Sequence, residues 1–523
     1  MTKDNTLLKN TAVLAVSGII VKGLSAVYRI PLTRMLGAEG MGQYSAAFNI
    51  FMPFFAFCCA GITPTLSRLS ARTKEERKGE ILYLQRKSGV YFGLLSLVMA
   101  CCRLVVAGVY SSHLSSPIMF WGVALMCPNL IFAAQEAVYK GISQGTFQMA
   151  VTARANILES ALKVVLGISS VYFAGIKLKE YCPPAQLACA YATISICGLA
   201  CLLYIKSDFK KRYAGVKPVK TDAGLRLIFS MARPISASAL VVAMSNFFDT
   251  VVCLSIVKAI PDRRLAAAYP YISFTARKEK AIWLFGVYQG LCLSVVNLIP
   301  SLSSAIGSAG LPVVTKSLRR ENTRAASGQT DKLIKLTAAS VVPVSAFVAF
   351  FPYEVLSVLF GDKGSQTILA SEFLKIMAPV AVLSAFSFPL NSILHALGKS
   401  SSIFRILLVC CVVKAAVGAR LCSVDSINIM GCVYSGVLFH IMVFVMSAAK
   451  IKKSGVRLKV RQRLAVPVMI SYVLLTFVKI AAEKLLYTMP LFFRMFCCGG
   501  LFVVLYGIIL FLSGFFVDNS SRR

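Results

Sequence analysis

The feature that most constrains this chain is a succession of about fourteen apolar runs, each near the roughly 20 residues a helix needs to cross about 30 Å of hydrocarbon. They fall at 11–32, 41–66, 89–111, 117–140, 152–174, 186–205, 227–257, 284–313, 334–360, 372–395, 402–422, 427–449, 464–486 and 490–514. Hydrocarbon offers no water to pair with backbone N–H and C=O groups, so each run must satisfy its own, and a helix does this within one segment. The expected fold is an all-α polytopic membrane protein. The run that starts at Thr11 contains Lys22 and has no small-residue cleavage site, so it reads as a retained span and not as a removable signal peptide.

Charge then sets the orientation. Only 15% of residues are charged, against about 25% in a soluble domain, yet the net charge is +35. The Lys and Arg residues do not form one basic domain; they sit in short loops between spans, which excludes nucleic acid as a partner and fits membrane topology. Loops 68–87, 206–226, 316–332 and 450–463 each carry five to seven basic residues and alternate with poorer ones. With an even span count, both termini are expected on the cytoplasmic side of a bacterial plasma membrane. One loop breaks the alternation: Lys258, Arg263, Arg264, Arg277, Lys278 and Lys280 fall in segment 258–283, which this topology places outside.

Chemistry of the soluble kind is not indicated. The seventeen cysteines lie mostly in apolar runs, with adjacent pairs such as Cys58-Cys59 and Cys410-Cys411 and no CxxC pair, so they read as small packing residues. The three histidines are scattered, no metal-spaced cluster appears, and there is no GxxxxGK[ST] phosphate loop. Neither catalysis, a cofactor nor a metal is expected.

The chain echoes itself. GMGQYSAAFNIFMPFFAFCCAGITPTLSRL from Gly40 parallels GVYQGLCLSVVNLIPSLSSAIGSAGLPVVTKSL from Gly286, with Asn49 facing Asn297 and Pro53 facing Pro300, at an offset of 247 to 249 residues. LKVVLG from Leu162 parallels VKAAVG from Val413, 251 residues on. Six spans lie within one offset, so the halves would insert in the same orientation, as parallel repeats. The expected division is a six-helix lobe over 1–226, a second over 227–463, and two further helices over 464–523. Such lobes can expose a central cavity to either side by rocking.

Ionisable residues inside spans cost about 2.5–3.5 kcal/mol each on insertion scales, so they point to cavities or partners. Lys22 and Arg29 lie seven residues apart, two turns along one face of span one, and Arg34 follows. They form a candidate cationic strip for phosphate, with interfacial snorkelling the alternative for Arg29 and Arg34. Arg233, before Pro234, is a further candidate or a positive-inside anchor. Span five carries Asn156, Glu159 and Lys163 on one face, the last two at the spacing of a local ion pair; the same face is a candidate cavity lining. Asp249 in span seven is a candidate ion-coupling acid, as is Glu159, and Asp249 equally suits a pair with a base. Asn49 and Asn297 are candidate cavity amides, though helix–helix hydrogen bonds are the commoner use of membrane asparagine. Glu136 and Lys140 read as a local pair.

The opening KGLSAVYRIPLTRMLGAEGMGQYSAAFNIFMPFFAFCCAGITPTLSRL resembles the start of the polysaccharide biosynthesis and stage V sporulation protein B family. That family is related to lipid II flippases in the multidrug/oligosaccharidyl-lipid/polysaccharide exporter superfamily. MARPISASALVVAMSNFFDTVV from Met231 and FLKIMAPVAVLSAFSFPLNSILHALGKSS from Phe373 extend the likeness through nearly the whole chain. The resemblance implies two six-helix lobes in a V shape plus two C-terminal helices, alternating access, and export of a polyprenyl-pyrophosphate-linked saccharide such as lipid II. It implies Lys22 and Arg29 as cavity cations and spans thirteen and fourteen as guides for the lipid tail. The implied partners are the lipid-linked saccharide and the bilayer, with a monovalent cation or proton as coupling ion. A drug/cation antiporter of the same superfamily, and an integral-membrane glycosyltransferase or polymerase, are the competing readings. The second would need a large catalytic loop, which is lacking.

Overall fold

The computed structural model describes residues 3–71, 77–114, 117–178, 182–220, 225–261, 277–304, 306–307, 314, 323–361, 364–456, 458, 460–485, 488–513 and 515. Regular structure among them is helical throughout. The first helix, α1 (Lys3–Cys59), runs for 57 residues and would span about 85 Å if straight, nearly three hydrocarbon cores. It is broken at Gly37, whose φ of 67° and ψ of −172° only glycine adopts without strain. Expected spans one and two are therefore two arms joined at that residue. This accounts for thirteen helices, among the described residues, that are long and apolar enough to cross a membrane, the first being the 55-residue Val16–Ser70. The protein is a multi-pass membrane protein.

The chain packs as two compact units that are not contiguous in sequence. The first gathers residues 1–265, 274–286 and 407–426. It contains α1, α2 (Ile62–Ser70), α3 (Lys78–Leu114), α4 (Pro117–Leu125), α5 (Cys127–Gly145) and α6 (Met149–Leu162). A π-helical turn, Lys163–Gly167, joins α6 to α7 (Ile168–Lys177). Then come α8 (Cys182–Arg212), α9 (Leu225–Ala259) and α10 (Arg277–Gly286). Of the basic residues that break the topology pattern, Lys258 ends α9, Arg263 and Arg264 lie outside the described residues, and Arg277, Lys278 and Lys280 form the first turn of α10.

The second unit gathers the described residues of 287–406 and 427–523. Its helices are α11 (Leu293–Val296), α12 (Thr323–Phe350), α13 (Pro352–Phe360) and α14 (Ser365–Ala396), then α16 (Met430–Lys452), α17 (Val460–Leu485) and α18 (Leu491–Leu512). The intervening α15 (Ser400–Cys422) divides, its residues from Leu407 onward packing with the first unit. Compactness thus follows spatial neighbours, whereas the division at 226 and 463 follows chain order.

Two kinds of contact hold these helices where hydrophobic burial gives no advantage over lipid. One is the close approach of backbones at small residues. A Cβ added at Gly42 on α1 would collide with the Ile282 carbonyl oxygen on α10, and one at Gly286 with the Ala38 carbonyl oxygen on α1. The other is a hydroxyl reaching a neighbouring helix. Ser195 donates to the Leu125 carbonyl at 2.6 Å in the first unit, and Ser345 donates to the Ala378 carbonyl at 2.6 Å in the second.

The last two spans are bound into the second unit. Phe502 stacks on Phe347 at 6.1 Å, the Tyr506 hydroxyl donates to the Ala339 carbonyl at 3.2 Å, and Leu475, Val478 and Met495 complete a core around Phe351. At the start of α17, Arg463 grips Asp331 of α12 with two parallel bonds of 2.9 and 2.6 Å. The opposite side of α18 leaves Phe496 73% and Phe511 77% exposed, an apolar surface suited to lipid.

Gly42→Leu is expected to force α1 and α10 apart at a cost of about 1–3 kcal/mol, lowering the unfolding temperature in detergent. Gly18→Ala on α1, where an added Cβ meets nothing, should leave that temperature unchanged or raise it.

Candidate functional site

Lys22 and Arg29 are half-buried on the first arm of α1, and seven residues of helix place them about 10 Å apart along the axis. Arg34 is exposed just before the break at Gly37. The three cations thus follow one arm toward its hinge, in a segment with no acid between Asp4 and Glu39.

Span five does more than form a local pair. Lys163 holds Glu159 at 2.6 Å, Lys140 contacts Glu136, and Lys140 also lies 4.0 Å from Glu159. The Cys201 thiol of α8 donates to Glu136 Oε1 at 2.6 Å. The two sequence-local pairs are therefore one network across α5, the α6 region and α8. Donor atoms of Glu136, Glu159 and Cys201 lie within 4.8 Å of one another, a set with metal-ligand chemistry that spacing in the sequence does not display. Lys140 already supplies a positive charge to that cluster.

The network opens on a cavity of about 450 Å³ within the first unit. Its other wall is an aromatic stripe on the second arm of α1, where Phe48, Phe51 and Phe55 recur at i, i+3 and i+7 with centroids 6.0 and 5.6 Å apart. Phe51 is fixed from behind the stripe by packing with Arg103 of α3, whose guanidinium sits 4.8 Å from the ring centroid. Arg103 is fully buried and donates from Nη2 to the Val123 carbonyl at 2.8 Å, while Nε and Nη1 have no hydrogen-bond partner. The ring face adds a cation–π contact to that hydrogen bond. Arg103 was not among the sequence candidates; its place in the middle of the apolar run 89–111 is the signal that marks it.

On α9, Asp249 is buried and held at 2.6 Å by Lys414 of α15, which also donates to Ser245 at 3.1 Å. Of its two expected roles, the carboxylate takes the pair with a base. Its partner is the lysine of VKAAVG, which stands opposite Lys163 of LKVVLG in the repeat. Each repeat-related lysine therefore neutralises a carboxylate, Glu159 in one case and Asp249 in the other. One residue beyond Asp249, α9 also binds α1: Asn49 donates to the Thr250 hydroxyl at 2.8 Å. Asn49 is buried in that helix–helix bond, whereas its repeat mate Asn297 is exposed at the end of α11. Arg233 is exposed near the start of α9. The structure thus gathers Glu159 and Lys163 at one cavity, and Asn49 and Asp249 at the α1–α9 and α9–α15 contacts. Lys22, Arg29 and Arg34 share one helix arm.

These features match a known group of proteins. The family profile described as "Polysaccharide biosynthesis protein" matches residues 7–317, more than half of the chain, and the MatE profile matches 289–419. The chain belongs to the polysaccharide biosynthesis protein family. Stage V sporulation protein B of Bacillus subtilis (strain 168) is 24% identical over 463 residues, covering 86% of this chain and 84% of that protein. Lipid II flippase MurJ of the same organism is 20% identical over 441 residues, covering 80% and 78%. Among solved structures, lipid II flippase MurJ in an inward closed conformation has a TM-score of 0.66 at 12% identity, covering 96% of this chain and 99% of that one. An inward-facing multidrug resistance MATE family transporter has a TM-score of 0.63 at 17% identity, covering 84% and 98%. The exporter fold implied by the opening residues is the fold of this chain.

Removing one partner of a buried pair leaves an uncompensated charge, at a cost of about 3–5 kcal/mol. Lys414→Met is expected to destabilise the protein by that order, and the double variant Lys414→Met with Asp249→Leu to recover most of it. Thermal unfolding of the four proteins in a double-mutant cycle measures this; additive losses would mean that the pair does not couple.

Proposed function

We propose that this protein flips a polyprenyl-pyrophosphate-linked saccharide, lipid II or a polysaccharide repeat unit, from the cytoplasmic to the outer leaflet of a bacterial plasma membrane. Membership of the polysaccharide biosynthesis protein family, with relatives named for sporulation and for lipid II flipping, supports the substrate class. The observation that carries the reading is the cationic arm of α1. Lys22 and Arg29 lie seven residues apart on one half-buried face of that arm, and two cations so spaced suit a pyrophosphate that must leave water for part of its path.

Movement is by alternating access of the lobes 1–226 and 227–463, and the pair 464–523 guides the prenyl tail. The protein forms and breaks no covalent bond in this cycle. Arg34, Lys163, Arg233 and Asn297 complete the proposed substrate contacts, while Asn49 is taken up by its bond to Thr250; the membrane potential, a proton or a monovalent cation is the driving force. The termini are cytoplasmic.

The MATE likeness brings cation-coupled antiport as the competing activity. A cation antiporter needs an acid open to a solution cation. Asp249 has its charge met by Lys414 and Glu159 by Lys163, which favours the lipid-linked anion as cargo.

In liposomes, the wild-type protein is expected to bring fluorescent lipid II to the outer leaflet, and Lys22→Ala or Arg29→Ala to slow this at least tenfold without loss of membrane insertion. Wild-type rates in both variants would remove the cationic arm from the mechanism. A fluorescent protein fused after the C-terminus should fluoresce in cells, whereas alkaline phosphatase at the same place should be inactive; the reverse would overturn the cytoplasmic assignment.

A further inference from the structure

The cavity beside the Glu136–Lys140–Glu159–Lys163 network is also lined by a neutral amide. Asn129 of α5 is 9% exposed, lines the cavity and has no hydrogen-bond partner among the described residues. Gly198 of α8 makes room for it, since a Cβ there would strike the Asn129 carboxamide oxygen. An amide facing a cavity can accept from and donate to a ligand at once.

The chemistry of the remaining walls narrows that ligand. Two carboxylates and two ammonium groups face the cavity, so the lining carries no net charge with which to select a pyrophosphate. Their hydrogen-bonding capacity exceeds their mutual contacts: each ammonium has three donors and each carboxylate about four acceptor sites. Opposite them stand the rings of Phe48, Phe51 and Phe55, with Phe48 and Phe55 half-buried and Phe51 fixed by Arg103. The fitting ligand is neutral, has one apolar face, and carries hydroxyl or amide groups around its edge. A pyranose has this construction, with C–H bonds on its flat faces and hydroxyl or acetamido groups at its rim. About 450 Å³ is within the usual range of about 300–1,000 Å³ for small-ligand sites.

We propose that this cavity is a subsite for a sugar ring of the cargo, with Asn129 reading the rim and the phenylalanine stripe taking the apolar face. The assignment rests on the lipid-linked saccharide as substrate. It separates two tasks, since the cationic arm of α1 serves the pyrophosphate and this cavity serves the saccharide.

Two measurements test it. In vesicles, Asn129→Leu and Phe48→Ala are expected to slow the flipping of fluorescent lipid II about tenfold, the equivalent of one lost hydrogen-bonded contact, while polyprenyl pyrophosphate without sugar moves at the wild-type rate. The sugar-free lipid also reports that each variant is folded. Equal slowing of both lipids, or of neither, overturns the subsite.

The second measurement does not depend on transport. Phe48→Trp, with native Trp121 and Trp283 changed to Phe, should show a saturable change in emission with N,N′-diacetylchitobiose that Asn129→Leu abolishes. Absence of a saturable change at millimolar sugar overturns the subsite. If the wild type moves neither lipid but the sugar still binds, the flippase reading fails and the subsite stands.

Discussion

A helix in hydrocarbon satisfies its own backbone, but it has no equivalent remedy for a charge, and most of the internal geometry of this protein answers that constraint. Three acids within spans of the first unit have a cation at hand. Lys163 meets Glu159, Lys140 meets Glu136, and Lys414 crosses from α15 to meet Asp249. Arg103, which has no acid, is placed against a carbonyl and a phenyl ring. In the second unit the bidentate Arg463–Asp331 pair ties the first turn of α17 to α12. These pairs do not make the fold more stable than apolar packing would, because desolvation offsets much of their attraction. They do specify which helices lie together, since a slip of one turn would strand a charge in lipid.

The parts of this arrangement that could be read from the chain are those carried by local periodicity. Apolar length alone locates the spans, and i, i+4 spacing alone locates Glu136–Lys140 and Glu159–Lys163. Gly37 is different, because a glycine between two apolar runs is compatible with a loop, and only the φ of 67° reveals a sharp joint within a nearly continuous helix. The merger of the two local pairs into one network was not legible either. It depends on how α5, α6 and α8 rotate about their axes, which tertiary packing decides. For Asp249 the sequence offers many lysines; distance in the chain, 165 residues, conceals that Lys414 is the one.

Internal repetition explains part of what spacing misses. Lys163 and Lys414 occupy matching places in LKVVLG and VKAAVG, and both neutralise an acid, so the repeat preserves a charge function while the partner changes from the same helix to a neighbouring one. Asn49 and Asn297 show the opposite outcome. Matching positions became a buried interhelix bond in one half and an exposed helix end in the other. A repeat therefore conserves the backbone course more faithfully than the duty of a given side chain, and each residue has to be argued from its own surroundings.

The same charge accounting distinguishes regions that would otherwise look alike as polar patches in a membrane. Between Asp4 and Glu39 the sequence holds Lys22, Arg29 and Arg34 and no acid, so by count that stretch is positive, which is the basis for proposing an anion site there. Where the two signs balance, as around Glu136 and Lys163, the local field largely cancels and an anion gains little from leaving water. What a balanced wall retains is hydrogen-bonding capacity, and the aromatic stripe opposite adds a flat apolar surface. A lipid-linked saccharide has both kinds of group in one head, a dianionic pyrophosphate and uncharged sugars, so its transit asks for one surplus region and one balanced region. The two sites proposed for this chain, on the first arm of α1 and at the cavity beside Glu136 and Lys163, divide in that way, and both use ionisable residues that a membrane span holds only at a cost.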